Sequence, residues 1–177
     1  VLGATIGQGK SGPLPIHLPP GEGRRLHEWL TACGFTFISA YMTVVEPAYH
    51  ETVNLGELAF TISPAQHSLP AAILTLTAGG KRLVYTGDTG DCPPLWKAME
   101  GADLVLAEVA GLPPAQAAEK GHLPAALLGR MARAAGVREL VLTHFMHGSD
   151  PEALAEEVAA AFGRPVHLAH EDRIFEV

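Results

Sequence analysis

An aspartate closes the apolar run in LVYTGDTGDC, residues 83 to 92, set between small residues as Gly87-Asp88-Thr89-Gly90. Three histidines stand in comparable places: His67 in AQHSLPA, His122 in KGHLPAA and His144 in LVLTHF. Carboxylate and imidazole are ligands that a borderline-soft divalent ion accepts, and imidazole changes charge near neutral pH, so this set suits metal binding and proton transfer. Singly, each residue has an ordinary explanation. Asp88 can close a turn or cap a helix opened by Pro93, and a lone histidine is more often a core or surface residue than a ligand. The functional reading depends on elements that bring the four together.

The chain supplies such elements. PLPIHLPP (13 to 20) reads as a short strand, and GEGRRLHEWLTACG as a helix with Leu26, Trp29 and Leu30 on one face. FTFISAYMTVV (35 to 45), ELAFTIS (57 to 63), AAILTLT (71 to 77) and RLVYT (82 to 86) read as strands, with Gly79-Gly80 as a hairpin connection. After Asp88 the pattern alternates: a helix near 93 to 100, the strand DLVLAEV, a helix LPAALLGRMARAAG ended by Gly136, the strand ELVLTHF and a helix begun at Ser149 or Asp150. PVHLAHEDRIFEV reads as two closing strands around a turn. This order predicts a single layered α/β domain over residues 1–177. Asp88 and His144 then end strands, where open α/β sheets bind ligands.

Composition narrows the classes. With 177 residues, 47% of them hydrophobic and 18% charged, the chain suits one globular domain with a sizeable core. A formal charge of −7 disfavours a broad cationic face for nucleic acid. Cys33 and Cys92 form neither a disulfide framework nor CxxC spacing, and no run is apolar long enough for a membrane span, so a cytoplasmic protein is expected. GQGKSG (7 to 12) falls short of a P-loop, because Ala4 stands where the first glycine belongs. His17, His27, His50, His167 and His170 show no partner pattern and are read as solvated.

In their order and spacing, HSLPAAILTL, YTGDTGDC, GADLVLAEV, GHLPAALLGRMARAAGVRELVLTHF and PVHLAHEDRIFEV resemble the metallo-β-lactamase fold, and within it the ribonuclease Z-like phosphodiesterase branch, from about residue 12 to the end. The resemblance implies an αββα sandwich and a two-metal site, with zinc, or alternatively manganese, as the ions. It makes His67 a metal ligand, Asp88 the carboxylate bridging both ions, His144 the last histidine ligand and His122 the catalytic group that assists the leaving group. Asp88 also counts as catalytic, since the ions it bridges would activate the attacking water. Glu108, ending DLVLAEV, is either the group that orients His122 or a solvated strand-end acid. Thr89 and His147 stand where they would support the ligands or touch substrate.

Two departures refine the expectation. The HxHxDH signature that supplies the family's other ligands is not among these residues, and VLGATIGQGKSGPLPIHLPPG resembles the segment that follows it. The chain is therefore expected to lack the N-terminal part of its domain and, alone, to hold half a site and be inactive. Only twenty residues separate His67 from Asp88, leaving no space for the long arm that transfer-RNA processing members carry there. The expected substrate is thus a cyclic nucleotide or another small phosphodiester. RNA, as in a tRNA 3′-end endonuclease, is less favoured, and no membrane partner is expected. A homodimer, and a non-catalytic domain keeping the fold for binding or assembly, stay open as alternatives.

Overall fold

The computed structural model describes residues 12–177. They fall into two compact units, one ending at Glu51 and the other running from Thr52 to Val177. Most of GQGKSG lies outside the described residues, so the P-loop reading is not met by structure.

In the first unit, β1 (Leu14–His17) pairs in parallel with β2 (Met42–Val45). Between them lies α1 (Glu22–Ala32), whose Leu30 is buried while Trp29 is 59% exposed. Neighbouring positions on a helix point about 100° apart, so the face that buries Leu30 turns Trp29 outward. That corrects the expected apolar face. FTFISAYMTVV is not one strand either. Thr36–Tyr41 form a 3₁₀ turn, because the Phe35 amide donates to the Leu30 carbonyl at 2.8 Å and Ile38 to Phe35 at 3.0 Å, and only Met42–Val45 remain extended.

The second unit holds a seven-stranded sheet in the order β3-β4-β5-β6-β7-β8-β9. Its strands are β3 (Val53–Leu55), β4 (Leu58–Pro64), β5 (Ala72–Ala78), β6 (Lys81–Tyr85), β7 (Leu104–Glu108), β8 (Glu139–Thr143) and β9 (His167–Leu168). The first four are antiparallel neighbours, and β6 to β9 run parallel. Gly79 and Gly80 make the β5–β6 hairpin with φ of 56° and 76°, the pair of positive angles a two-residue turn of this hand requires. The C-terminal stretch supplies one strand where two were expected. After β9 the chain turns at Asp172, and Phe175 returns against His167 by ring contact, 5.7 Å between centroids, rather than by a ladder.

The crossovers between parallel strands are helical: α2 (Pro93–Met99), α3 (Pro114–Lys120), α4 (Ala125–Ala134) and α5 (Pro151–Phe162). Asp150 caps α5 by accepting from the Glu152 and Ala153 amides at 3.1 and 3.2 Å. Leu95, Met99, Leu128, Met131, Val158 and Phe162 from these helices join Ile73, Val84, Val105, Leu140 and Leu142 from the sheet in one buried core. Topology then places the chemistry. β4 enters, β5 leaves, and β6, β7 and β8 finish at the same edge of the sheet, so their loops share that edge.

Candidate active site

His67 lies in the β4–β5 loop, Asp88 just after β6, Glu108 at the last position of β7, His122 between α3 and α4, and His144 just after β8. Their side chains meet. The His122 ring lies 5.1 Å from that of His67 and 5.7 Å from that of His144, centroid to centroid. His144 Nδ1 stands 3.3 Å from Asp88 Oδ1, and His122 Nδ1 stands 3.0 Å from Glu108 Oε1. Asp88 and His144 are the open members, with side chains 35% and 41% exposed, whereas His122 and Glu108 are buried.

Glu108 is therefore not a solvated strand-end acid. Its Oε1 accepts from His122, from the Leu123 amide at 3.2 Å and from the Thr89 amide at 3.3 Å, while its own amide donates to Thr86 Oγ1 at 3.1 Å. Burial pushes its carboxyl up to about 7. The Thr89 and Leu123 amides and the charge of His144 pull the other way, and the charge of Asp88 adds to the rise. Its Oε2 is buried without a partner among the described residues.

The loops are clasped to one another. Thr89 is fully buried, and its Oγ1 accepts the Gln66 amide at 3.0 Å while the Gly90 amide donates to the Gln66 carbonyl at 2.8 Å. These bonds tie the His67 loop to the Asp88 loop. Gly121 completes the junction: its φ is +75°, and a Cβ there would lie 2.7 Å from Gln66 O and 2.9 Å from His67 Cα. His144 itself has φ of 59°, in the left-handed region that a non-glycine residue enters only under tertiary constraint. The Met146 amide, bonded to the Ala110 carbonyl at 3.2 Å, helps to hold that turn. His147 is exposed in the loop beyond it.

Gln66, Gly121 and Leu123 are site-building residues that the sequence reading passed over. A glycine directly before His122 was a usable signal for Gly121, since a tight turn there calls for it. Gln66 and Leu123 act through backbone amides and carbonyls, which residue type does not reveal.

A mixed sheet flanked by helices, with imidazoles and carboxylates gathered at one strand-end edge, defines a metallo-β-lactamase-type fold with a candidate hydrolytic site. The β-lactamase superfamily domain matches residues 4–145, and the chain belongs to that family. An uncharacterized protein of Mycobacterium tuberculosis is 35% identical over 128 residues, covering 72% of this chain and 47% of its own length. A ribonuclease Z of Myxococcus xanthus is 37% identical over 113 residues, 62% of this chain and 37% of that protein. The chain thus spans about half the length, or less, of these curated relatives. Among solved structures, the metallo-β-lactamase fold protein YhfI of Bacillus subtilis superposes with a TM-score of 0.79 at 23% identity, covering 98% of this chain and 72% of that one. Zn(2+)-bound PqqB of Methylobacterium extorquens gives 0.73 at 19% identity, covering 99% and 65%.

Proposed function

We propose that the full-length protein carrying this chain is a metal-dependent phosphodiesterase acting on small nucleotide-type diesters, cyclic nucleotides among them. The observation that carries this is the placement of His122: buried, backed by Glu108, and facing an open rim of His67, Asp88 and His144.

The donor set fits divalent metal. Glu108, His122 and His144 bring ligand atoms within 4.8 Å of one another, yet Glu108 Oε1 already accepts three hydrogen bonds. Asp88 and His144 stay open to the cleft, so they and His67 are the residues that would hold the ions, zinc or alternatively manganese, Asp88 supplying the carboxylate. When bound, such ions supply an activated water and charge neutralisation at phosphate.

The remaining work falls to the chain. A proton on His122 Nδ1 is fixed by Glu108 Oε1, which leaves Nε2 to deliver a second proton to the departing oxygen. The Glu108 carboxylate stabilises the imidazolium, and the Thr89 and Leu123 amides hold the carboxylate in place. Thr89 keeps the His67 loop in register with Asp88, and His147, exposed beyond His144, is free to meet substrate.

Small substrates are favoured because the chain between His67 and Asp88 is used up by the loop remainder, β5, the Gly79-Gly80 turn and β6. The relative named ribonuclease Z supports tRNA 3′-end cleavage as the second reading. Hydrolysis of bis(p-nitrophenyl) phosphate with added zinc or manganese, lost on chelation, tests the class. Side-by-side rates on cyclic nucleotides and precursor tRNA test the substrate. Activity that survives complete metal removal overturns the proposal, and faster cleavage of precursor tRNA selects the second reading.

A further inference from the structure

A cavity of about 210 Å³ opens beside the proposed metal cleft, lined by Gln66, His67 and Ser68 from the β4–β5 loop and by Glu119, Lys120 and Gly121 from the end of α3. His67 and Gly121 join it to the chemistry, since the first is a proposed ligand and the second immediately precedes His122. Lys120 is the one cation among the described lining residues and is exposed, and its side chain makes no ion pair or hydrogen bond with any described residue. By contrast, Lys81 is engaged with Asp103 at 3.5 Å. In a chain of formal charge −7, an uncommitted ammonium on a residue that lines this cavity is a local exception to the prevailing field. Ser68 adds a hydroxyl and Gln66 an amide side chain, both able to donate to an oxyanion.

We infer that this cavity receives a second phosphoryl group of the substrate, and that Lys120 is a specificity-determining residue favouring diesters that carry one. The inference rests on the phosphodiesterase reading for its substrate class, but the binding of a phosphoryl group in the cavity does not require turnover. Glu119 opposes it. Glu119 lines the same cavity and its negative charge repels an anion, so the two neighbours act with opposite signs and the preference is the difference between them.

The test uses the full-length protein and two pairs of probes that differ by one phosphate. For binding, thymidine 3′,5′-bisphosphate is compared with thymidine 5′-monophosphate by calorimetry. For turnover, the 5′-p-nitrophenyl ester of thymidine 5′-phosphate is compared with and without a 3′-phosphate. The 3′-phosphate should tighten binding and lower KM several-fold, on the order of fivefold at low salt, which is what one partly exposed charge pair is worth. Raising ionic strength should shrink that gap. Lys120→Ala should abolish the preference with kcat on the unphosphorylated ester unchanged, and Glu119→Gln should enlarge it. Equal affinity for both members of each pair in the wild type, or a Lys120→Ala loss shared by both members, overturns the inference. If neither ester is hydrolysed while the bisphosphate still binds more tightly through Lys120, the cavity assignment stands and the phosphodiesterase reading falls.

Discussion

Gly121→Ala should break the site without touching any group that does chemistry. The glycine has φ of +75°, where an alanine costs roughly 1–2 kcal/mol. Its new methyl would also lie 2.7 Å from Gln66 O and 2.9 Å from His67 Cα, both backbone atoms that cannot rotate aside. Overpacking of that kind costs about 1–3 kcal/mol more. Gly136→Ala is the matched control, because Gly136 has φ of +69° with nothing within 4 Å of its Cβ position. The gain from stiffening the unfolded chain is common to both variants. Urea denaturation should therefore place Gly121→Ala below Gly136→Ala by roughly 1–3 kcal/mol. Relief of the clash must move the His67 loop away from His122, and a displacement of about 1 Å at a catalytic centre costs about 10²-fold in rate. Equal stability of the two variants, or a rate on bis(p-nitrophenyl) phosphate that is the same for Gly121→Ala, Gly136→Ala and wild type, would refute this.

Asp88→Ala should lose bound metal together with activity, because two cations would then lack the carboxylate that offsets their repulsion; metal analysis after dialysis checks this, and undiminished metal content contradicts it. Thr89→Val strips the Gln66 amide of its partner while preserving shape, so stability should fall by about 1–3 kcal/mol. The same change should weaken metal binding by roughly 10–100-fold as the His67 loop loosens, measured by titration against a chelating dye. Asp103 gives a pH signature away from the site. Its carboxyl is held below its ordinary value first by the Arg82 amide at 3.0 Å, with Lys81 and Arg138 adding favourable charge and partial burial opposing them. A lowered folded-state value means the stabilisation is complete above the unfolded value of 3.8 and disappears as pH falls through the folded one. Asp103→Asn should accordingly melt below wild type at pH 7 and converge with it toward pH 2, as followed by thermal denaturation.

Much of the second unit was legible because its signals agree with its environment. DLVLAEV and ELVLTHF are apolar runs that become β7 and β8, buried between parallel neighbours, and Gly79-Gly80 marks the one turn type that joins β5 to β6. The clustering of His67, Asp88, His122 and His144 was readable only because each sits just after a strand, in the β4–β5 hairpin loop or in a crossover, all at one sheet edge. Other features left no trace in residue type. Phe35 to Tyr41 have strand composition, but backbone bonds to the end of α1 draw them into a 3₁₀ turn. PAQAAEK, which becomes α3, starts from Pro114 without a side-chain cap and carries its one buried residue at Ala117, so periodicity says little. The left-handed His144 and the Gln66 clasp are imposed by packing around them. The burial of Glu108 depends on donors from two loops, Thr89 on one side and His122 and Leu123 on the other, that are distant from it in the chain.

The most direct measurement is the leaving-group dependence of His122→Ala beside wild type, with metal content determined on the same samples. If His122 supplies the proton, the variant keeps its metal and loses about 10²–10⁴-fold on a diester with a poorly stabilised alkoxide leaving group. It should recover most of that loss on a p-nitrophenolate ester, which needs no proton to depart. A His122→Ala protein stripped of metal, or equally impaired on both esters, would contradict the assignment of His122 as the acid.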